Sequence, residues 1–247
     1  MNRYSSVCDD FYVNMNLGTE MELPSGRETV LQFMERVQKT YPTMRNFFCR
    51  ERGDFVLEED KEQGNYRWCS IEPRRISSGF VNPESVTEAL NQHRLVLDLA
   101  PYMLSVSPLD CETLDLLFGF DFACRGNHNQ VVAEALGVTP ALERMLDIPG
   151  ATVTGFEPML TVAFDDQYRL QCRVNVETRT NFFHVRGGEF PEEQLSVYVT
   201  ARQYGSLPAG KGFADVFNNL VEVSRKVIDG YVVENVLRPL ARTIALK

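Results

Sequence analysis

Residues 114–124 read Leu-Asp-Leu-Leu-Phe-Gly-Phe-Asp-Phe-Ala-Cys. Large apolar side chains occupy every second position from Leu114 to Phe122, and a period of two is the pattern of a β-strand with one face in the core. The order of strands and helices predicted for the first 108 residues begins again with this strand. The strand therefore marks the start of a second structural unit.

The first unit is predicted to run strand, helix, two strands, helix. Its first helix has apolar residues at i, i+3, i+4 and i+7 and ends at Tyr41-Pro42. Its second helix opens at residues 82–85, and Pro101 disturbs or ends it. The other predicted elements are a strand over 11–17, the helix with Val30, Phe33, Met34 and Val37 on its core face, and strands over 54–60 and 65–76 joined at Gln63-Gly64-Asn65.

The second unit follows the strand at 114–124 with a helix over 128–137. Asn127 is the predicted cap of that helix, and Gln130 is placed to reach back to it. A long amphipathic helix begins near Phe213. Between these helices the sequence predicts a short helix from Thr139-Pro140 and strands over 153–164, 168–178 and 194–203, the first two joined at Asp165-Asp166-Gln167.

Together the two passes predict an α+β fold, with two related ferredoxin-like units that form antiparallel sheets with helices on one face. The units span residues 1–108 and 109–247, either as separate domains or packed as one. Two similar stretches of five residues support an internal duplication. They are Leu23-Pro24-Ser25-Gly26-Arg27 and Leu207-Pro208-Ala209-Gly210-Lys211, and each precedes an amphipathic helix.

Three stretches carry a resemblance to a known family. They are Phe33-Met34-Glu35-Arg36-Val37 leading to Tyr41-Pro42, the strand from Leu114 to Phe122, and the terminal helix from Phe213 to Val236. In order and spacing they are similar to a sporadically distributed family of bacterial proteins built from two strand-helix-strand-strand halves. The resemblance implies this architecture for most of the chain. Since the family has no established reaction, it implies no catalytic residue.

Composition narrows the classes of function. The formal net charge of −9 and a pI near 5.0 argue against broad binding of nucleic acid or anionic membranes. The sequence has no apolar run of about 18 residues that would cross a bilayer, and it begins without an apolar leader segment, so a cytoplasmic location is expected. The six cysteines are widely spaced and form no C-x-x-C pair. Neither a metal site nor a cofactor is therefore predicted.

The strongest candidate for a binding surface is residues 169–179, Arg-Leu-Gln-Cys-Arg-Val-Asn-Val-Glu-Thr-Arg. As a strand this stretch places Arg169, Arg173 and Arg179 on one polar face. Guanidinium groups in a row suit carboxylate or phosphate groups. The same face could equally be solvated or form a ladder of salt bridges, in which Glu157 would orient or pair with the arginines.

A second candidate lies where the strand at 114–124 turns into the next helix. Arg125, Asn127 and His128 surround backbone N–H groups that could help to hold an anion. The competing interpretation is structural. In it Gly126 permits the turn, Asn127 caps the helix and His128 is an exposed residue of the first turn.

No catalytic constellation is recognisable, since the chain has no Gly-x-Ser-x-Gly motif and only three histidines. The leading hypothesis is a non-catalytic binding or assembly module that forms a homo-oligomer. The alternative is an enzyme or binder for a small anionic metabolite. Its site would use Arg169, Arg173 and Arg179 together with Glu157, Arg125, Asn127 and His128.

Overall fold

The computed structural model of the protein describes residues 4–50 and 53–247. In that part of the chain nine strands form one sheet, and every pair of neighbouring strands is antiparallel. The strands are β1 (Asp10–Thr19), β2 (Asn46–Cys49), β3 (Phe55–Glu58), β4 (Tyr66–Glu72), β5 (Arg75–Val81), β6 (Cys111–Cys124), β7 (Met159–Ala163), β8 (Leu170–Glu177) and β9 (Glu193–Tyr204).

The helices supply the second layer. The buried residues of the first helix are the four that its sequence pattern predicts. A π-helical segment, Ile228–Leu237, joins the last two helices into one continuous rod. The helices are α1 (Arg27–Thr40), α2 (Val86–Met103), α3 (His128–Leu136), α4 (Pro140–Glu143), α5 (Phe182–Gly187), α6 (Phe213–Val227) and α7 (Arg238–Ala245).

The order of strands across the sheet is β2-β3-β4-β5-β1-β6-β9-β8-β7. The first strands of the two halves, β1 and β6, therefore pair at its centre, and Val13 lies opposite Phe118. On each side of this pair lies the last strand of the same half, β5 or β9. Helices α2 and α6 pack across these central strands. The helices therefore cover the middle of the sheet, where the two halves of the chain meet.

The core lies between the sheet and the helices. Phe118 and Phe120 of β6 are fully buried there, together with Phe33 of α1 and Phe217 of α6. Buried apolar residues from both halves form one continuous cluster. The predicted boundary between residues 108 and 109 falls in a short 3₁₀ turn that leads from α2 into β6. The core runs across this boundary without interruption.

The sequence analysis is confirmed at the level of an α+β fold with an antiparallel sheet. The finer prediction of two ferredoxin-like units is not confirmed, because the halves share a single sheet of nine strands. The strand predicted over 65–76 is instead two strands, β4 and β5, separated by a turn at Pro73-Arg74. Strand β2 was not predicted, and β7 begins at Met159 rather than at residue 153.

Two local predictions about helices need correction. Pro101 does not end α2, which continues to Met103. A proline in the last turn removes only one hydrogen bond, so the helix can run past it. Asn127 does cap α3, since its side chain accepts hydrogen bonds from the N–H groups of residues 129 and 130. Gln130 does not reach back to it, because its amide donates to Glu134 instead.

Candidate functional site

The side of the sheet opposite the helices is polar, and we call it the open face. It carries the alternate residues of the central strands that do not enter the core. Aromatic rings lie across this face where a strand has glycine, since a Cβ atom on Gly119 would stand 2.2 Å from the Tyr12 ring. The open face consists of Tyr66, Trp68 and Ser70 of β4, Ser77, Gly79 and Val81 of β5, Asp10, Tyr12, Asn14 and Asn16 of β1, Asp115, Leu117, Gly119 and Asp121 of β6, Ser196, Tyr198, Thr200 and Arg202 of β9, and Gln171, Arg173, Asn175 and Glu177 of β8.

Strand β8 confirms the predicted alternation over residues 170–177. Leu170, Cys172 and Val176 are buried against the core, whereas Arg173 is exposed on the open face. Arg173 makes no hydrogen bond or ion pair with any residue in the described part of the chain. Its guanidinium group therefore has no direct partner among these residues, although its charge opposes the rise that burial causes in the pKa of Asp115.

The other two arginines of the predicted row have partners. Arg169 donates to the backbone carbonyl of Tyr204 at 2.8 Å and also to that of Ser206, so it fastens the end of β9. Arg179 pairs with Glu177 at 3.1 Å and donates to the Tyr198 hydroxyl at 3.3 Å. At about 3.3 Å per residue along a strand, neither lies close to Arg173. The structure does not bring the three guanidinium groups together.

A different arginine lies beside Arg173. Arg202 of β9 forms a two-pronged ion pair with Asp115, with Nε to Oδ1 at 2.6 Å and Nη2 to Oδ2 at 2.5 Å. Its Nη1 donates to the Tyr204 hydroxyl at 3.2 Å. Burial raises the pKa of Asp115, and the hydrogen bonds from Arg202 oppose that rise. Sequence reasoning missed Arg202, although the alternation of polar residues along 198–204 is a signal that could have found it.

Thr200 completes this part of the open face. It lies directly opposite Arg173 in the register of β8 and β9. Only 5% of the residue is exposed, and its hydroxyl group has no hydrogen-bond partner. A cavity of about 50 Å³ opens beside it. We call this cavity the arginine site, and its lining residues are Thr161, Gln171, Arg173, Thr200, Arg202 and Tyr204.

The size of the arginine site limits what it can hold. On the measure of volume used for cavities, about 10–15 Å³ is enough to hold one water molecule. A cavity of about 50 Å³ therefore accepts one small group, such as a carboxylate or a phosphate, and not a whole metabolite. The rest of a larger ligand would extend over the open face.

At the predicted site around His128, the backbone N–H groups donate to Thr180 and Asn127 within the protein. His128 is fully buried, its Nε2 donates to the Cys124 carbonyl at 2.9 Å, and its Nδ1 accepts from the N–H of Arg179 at 3.2 Å. Burial lowers the pKa of His128. The interpretation of His128 as an exposed residue of the first turn is wrong, because the segment that follows β8 packs over it.

The remaining predicted residues are spread over the surface. Asn127 caps α3 and donates to the Val153 carbonyl. Arg125 is exposed and forms an ion pair with Glu192 at 3.7 Å. Glu157 accepts hydrogen bonds from the N–H and hydroxyl groups of Thr178, at 2.7 and 2.9 Å, and so fastens the end of β8 rather than orienting an arginine. None of these residues lines the arginine site.

Comparison with known proteins gives no further guidance. The chain matches no model of a protein family, and no curated protein is significantly similar to it. Among residues 4–50 and 53–247, no helix is long and apolar enough to cross a membrane. In the same part of the chain, His, Cys, Asp and Glu side chains form no group of three that could hold a metal ion. The open face is therefore the feature of the structure that bears on function.

Proposed function

We propose that the protein is a non-catalytic binding module that holds a small anionic group, a carboxylate or a phosphate, in the arginine site. One observation carries the proposal: the unpaired guanidinium of Arg173 lies opposite the buried, unpartnered hydroxyl of Thr200. An unsatisfied buried hydroxyl costs about 1–3 kcal/mol. An anion between the two groups would accept hydrogen bonds from both.

The balance of charge supports the same conclusion. Arg173 and Arg202 contribute two positive charges and Asp115 one negative charge, which leaves one net positive charge at the site. The whole chain carries −9. A local cation in an acidic protein attracts an anion over a short range, within the screening length of about 8 Å at physiological salt. Arg202 is held rigidly by Asp115, so Arg173 supplies most of the donors for the ligand.

The chemistry of the lining favours binding over catalysis. The arginine site contains two arginines, two threonines, a glutamine and a tyrosine. None of these is a carboxylate, a histidine or a thiol, the groups that act as general bases or nucleophiles near neutral pH. The arginines and hydroxyl groups of the site suit the recognition of an anion, and no adjacent base in its lining would activate the hydroxyl groups as nucleophiles.

We further propose that the protein works as a homo-oligomer in the bacterial cytoplasm and that its halves arose by duplication. The mirrored strand order supports duplication, because in each half the first strand pairs with the last. Every residue of the edge strand β7 is exposed, including Met159 and Leu160. An apolar edge strand with unpaired backbone groups favours pairing with a second copy. Native mass spectrometry of the purified protein would measure the number of subunits.

The anion site can be tested by isothermal titration calorimetry with inorganic phosphate and with succinate. We expect at least one probe to bind the native protein and Arg173→Ala to weaken binding at least tenfold. Arg179→Ala is the matched control, since it removes the same charge two residues beyond the end of β8, at a residue that does not line the arginine site. Equal affinities for the native protein and Arg173→Ala, or equal losses in the two variants, would overturn the proposal.

A further inference from the structure

A second and larger cavity opens on the same face, over β4, β5, β1 and β6. Its volume is about 450 Å³, so it can hold a small organic molecule or a whole side chain. We call it the aromatic cavity. The lining residues that matter for its chemistry are Asp10, Tyr12, Asn14, Tyr66, Trp68 and Asp121. None of them lines the arginine site.

Aromatic rings form the walls of this cavity, and two of them are held flat. A Cβ atom on Gly79 would stand 2.2 Å from the Trp68 indole, so the indole lies directly on the glycine backbone. The Tyr12 ring lies on Gly119 in the same way. Rings that lie along a sheet present a face to whatever sits above them. The face of an aromatic ring carries negative charge and attracts cations.

Three oxygen-bearing side chains of the cavity, Asp10, Asp121 and Asn14, can accept hydrogen bonds. Asp121 is 7% exposed, and the groups that donate to it are the hydroxyls of Tyr12, at 3.5 Å, and Ser196. Asp10 lies opposite Asp121 in the register of β1 and β6. The buried Oδ1 of Asn14 has no hydrogen-bond partner. Two carboxylates and a free carbonyl thus line one cavity.

The carboxylates are positioned but not neutralised. Asp10 is held by two side-chain amides, with Asn82 Nδ2 at 2.7 Å and Gln194 Nε2 at 3.1 Å. Neither Asp10 nor Asp121 forms an ion pair with a residue in the described part of the chain. Burial, together with the charge of Asp10, raises the pKa of Asp121, and the hydrogen bonds from Ser196 and Tyr12 and the charge of Arg179 oppose that rise. Such a pair is costly to ionise unless a cation lies beside it.

We infer that the aromatic cavity binds an organic cation that carries N–H donors, a guanidinium or a primary ammonium group. Such a cation would place its positive charge against the faces of Tyr12 and Trp68. Its N–H groups would donate to Asp121, Asp10 and the free carbonyl of Asn14. A neutral ligand would leave the carboxylates without a counterion, and an anion would be repelled. This inference goes beyond the proposed anion site and does not depend on it.

Tryptophan fluorescence offers a direct test, because Trp68 is the only tryptophan in the chain. The probe is butylguanidinium, and its matched control is butylurea, which has nearly the same shape but no charge. We expect a saturable change in emission with butylguanidinium and none with butylurea at the same concentration. No saturable response, or the same response to both compounds, would overturn the inference. The titration needs no anion, so it fails independently of the anion site.

A variant tests whether the change in Trp68 emission depends on the Asp121 carboxylate. Asp121→Asn keeps the shape of the side chain, and it should weaken butylguanidinium at least tenfold. Glu222→Gln makes the same change of charge on an exposed position of α6 and should leave the affinity unaltered. Unchanged affinity in a folded Asp121→Asn protein would contradict the assignment. If that variant does not fold, the comparison between butylguanidinium and butylurea still decides.

Two further ligands identify the source of the cation. Acetyl-Gly-Arg-Gly-amide presents a guanidinium on a polypeptide, and the same peptide with citrulline is its neutral control. Tighter binding of the arginine peptide than of butylguanidinium indicates a protein side chain as the ligand. Binding of butylguanidinium alone indicates a small molecule. Either result supports recognition of a guanidinium group by the aromatic cavity. If neither cation binds, the inference is refuted.

Discussion

The two faces of the central sheet are built from the same strands but are closed in different ways. On the covered face, apolar residues of β1, β6 and β9 pack against helices and form one core. On the open face, Thr200 and Asp121 are buried only by neighbouring side chains. Burial on the covered face stabilises the fold. On the open face, burial of the unpartnered Thr200 hydroxyl and of the Asp121 carboxylate, which has no ion-pair partner among the described residues, costs free energy that a ligand can offset.

Removal of an apolar side chain from the covered face of the sheet should cause the largest loss in the free energy of unfolding. Phe118 is about 1% exposed and packs within the core. We expect Phe118→Ala to lower the free energy of unfolding by about 3–5 kcal/mol, because it removes the ring and leaves a cavity. Urea denaturation measures this loss. Leu109→Ala, at a position that is 79% exposed, should change stability by less than about 0.5 kcal/mol, and similar losses in both variants would contradict the location of the core.

The next largest effect should come from the ion pair on the open face. Arg202→Ala leaves the Asp115 carboxylate, whose side chain is 9% exposed, without its partner. We expect a loss of about 2 kcal/mol, since the guanidinium is itself 30% exposed and water replaces part of the interaction. Adding Asp115→Asn to this variant should restore part of the stability. Thermal and urea unfolding test both variants, and a loss below about 0.5 kcal/mol would show that the pair is not a structural element.

A smaller effect is expected where an aromatic ring lies on glycine. Gly119→Ala places a Cβ atom 2.2 Å from the Tyr12 ring, so the ring must move. We expect about 1–2 kcal/mol of destabilisation and weaker binding of butylguanidinium. Gly155→Ala is the control, because no atom lies within 4 Å of the added Cβ. Urea denaturation and fluorescence titration give the two values, and equal behaviour of the two variants would contradict the placement of the ring.

The covered face also contains a buried titratable group, His93 of α2. His93 is fully buried with Nδ1 3.1 Å from the Ser78 hydroxyl, and burial lowers its pKa to about 3. The unfolded chain, with a histidine pKa near 6.5, binds the proton more readily. The contribution of the neutral His93 to the free energy of unfolding is therefore fully present above pH 6.5 and is lost as the pH decreases towards 3.

Between pH 7.5 and 5.5 the contribution of His93 to this fall is about 1.4 kcal/mol. Urea denaturation across this range should show a steeper loss in the native protein than in His93→Gln. The buried His128 and the carboxylates are the same in both proteins, so the difference isolates His93. Parallel curves for the two proteins would contradict this, because they would show that His93 takes up its proton as readily in the folded protein as in the unfolded chain.

Local periodicity in the sequence was enough to predict most of the elements. The alternation from Leu114 to Phe122 and the spacing of Val30 to Val37 fix which side of β6 and α1 is buried, and both are confirmed. The turn at Pro73-Arg74 was missed, although the adjacent polar residues Arg74 and Arg75 interrupt the alternation of the strand before it. Patterns of period two do not show where one strand ends and its neighbour begins.

The arginine site could be predicted only in part, because it depends on register between distant strands. Arg173 was found from its own strand, but its neighbour Thr200 comes from β9. The ion pair between Arg202 and Asp115 joins residues 87 positions apart. His128 was assigned to the surface because the segment around Thr180 that buries it is remote in sequence. One sequence without related sequences carries no signal for such pairings.

The most direct test of the open face as a binding surface is a crystal structure of the protein with selenate, which reports its position through anomalous scattering. We expect one ordered selenate in the arginine site, within hydrogen-bond distance of the Arg173 guanidinium and the Thr200 hydroxyl. Selenate found only at other positions, or an empty arginine site at a concentration that saturates binding in solution, would contradict it.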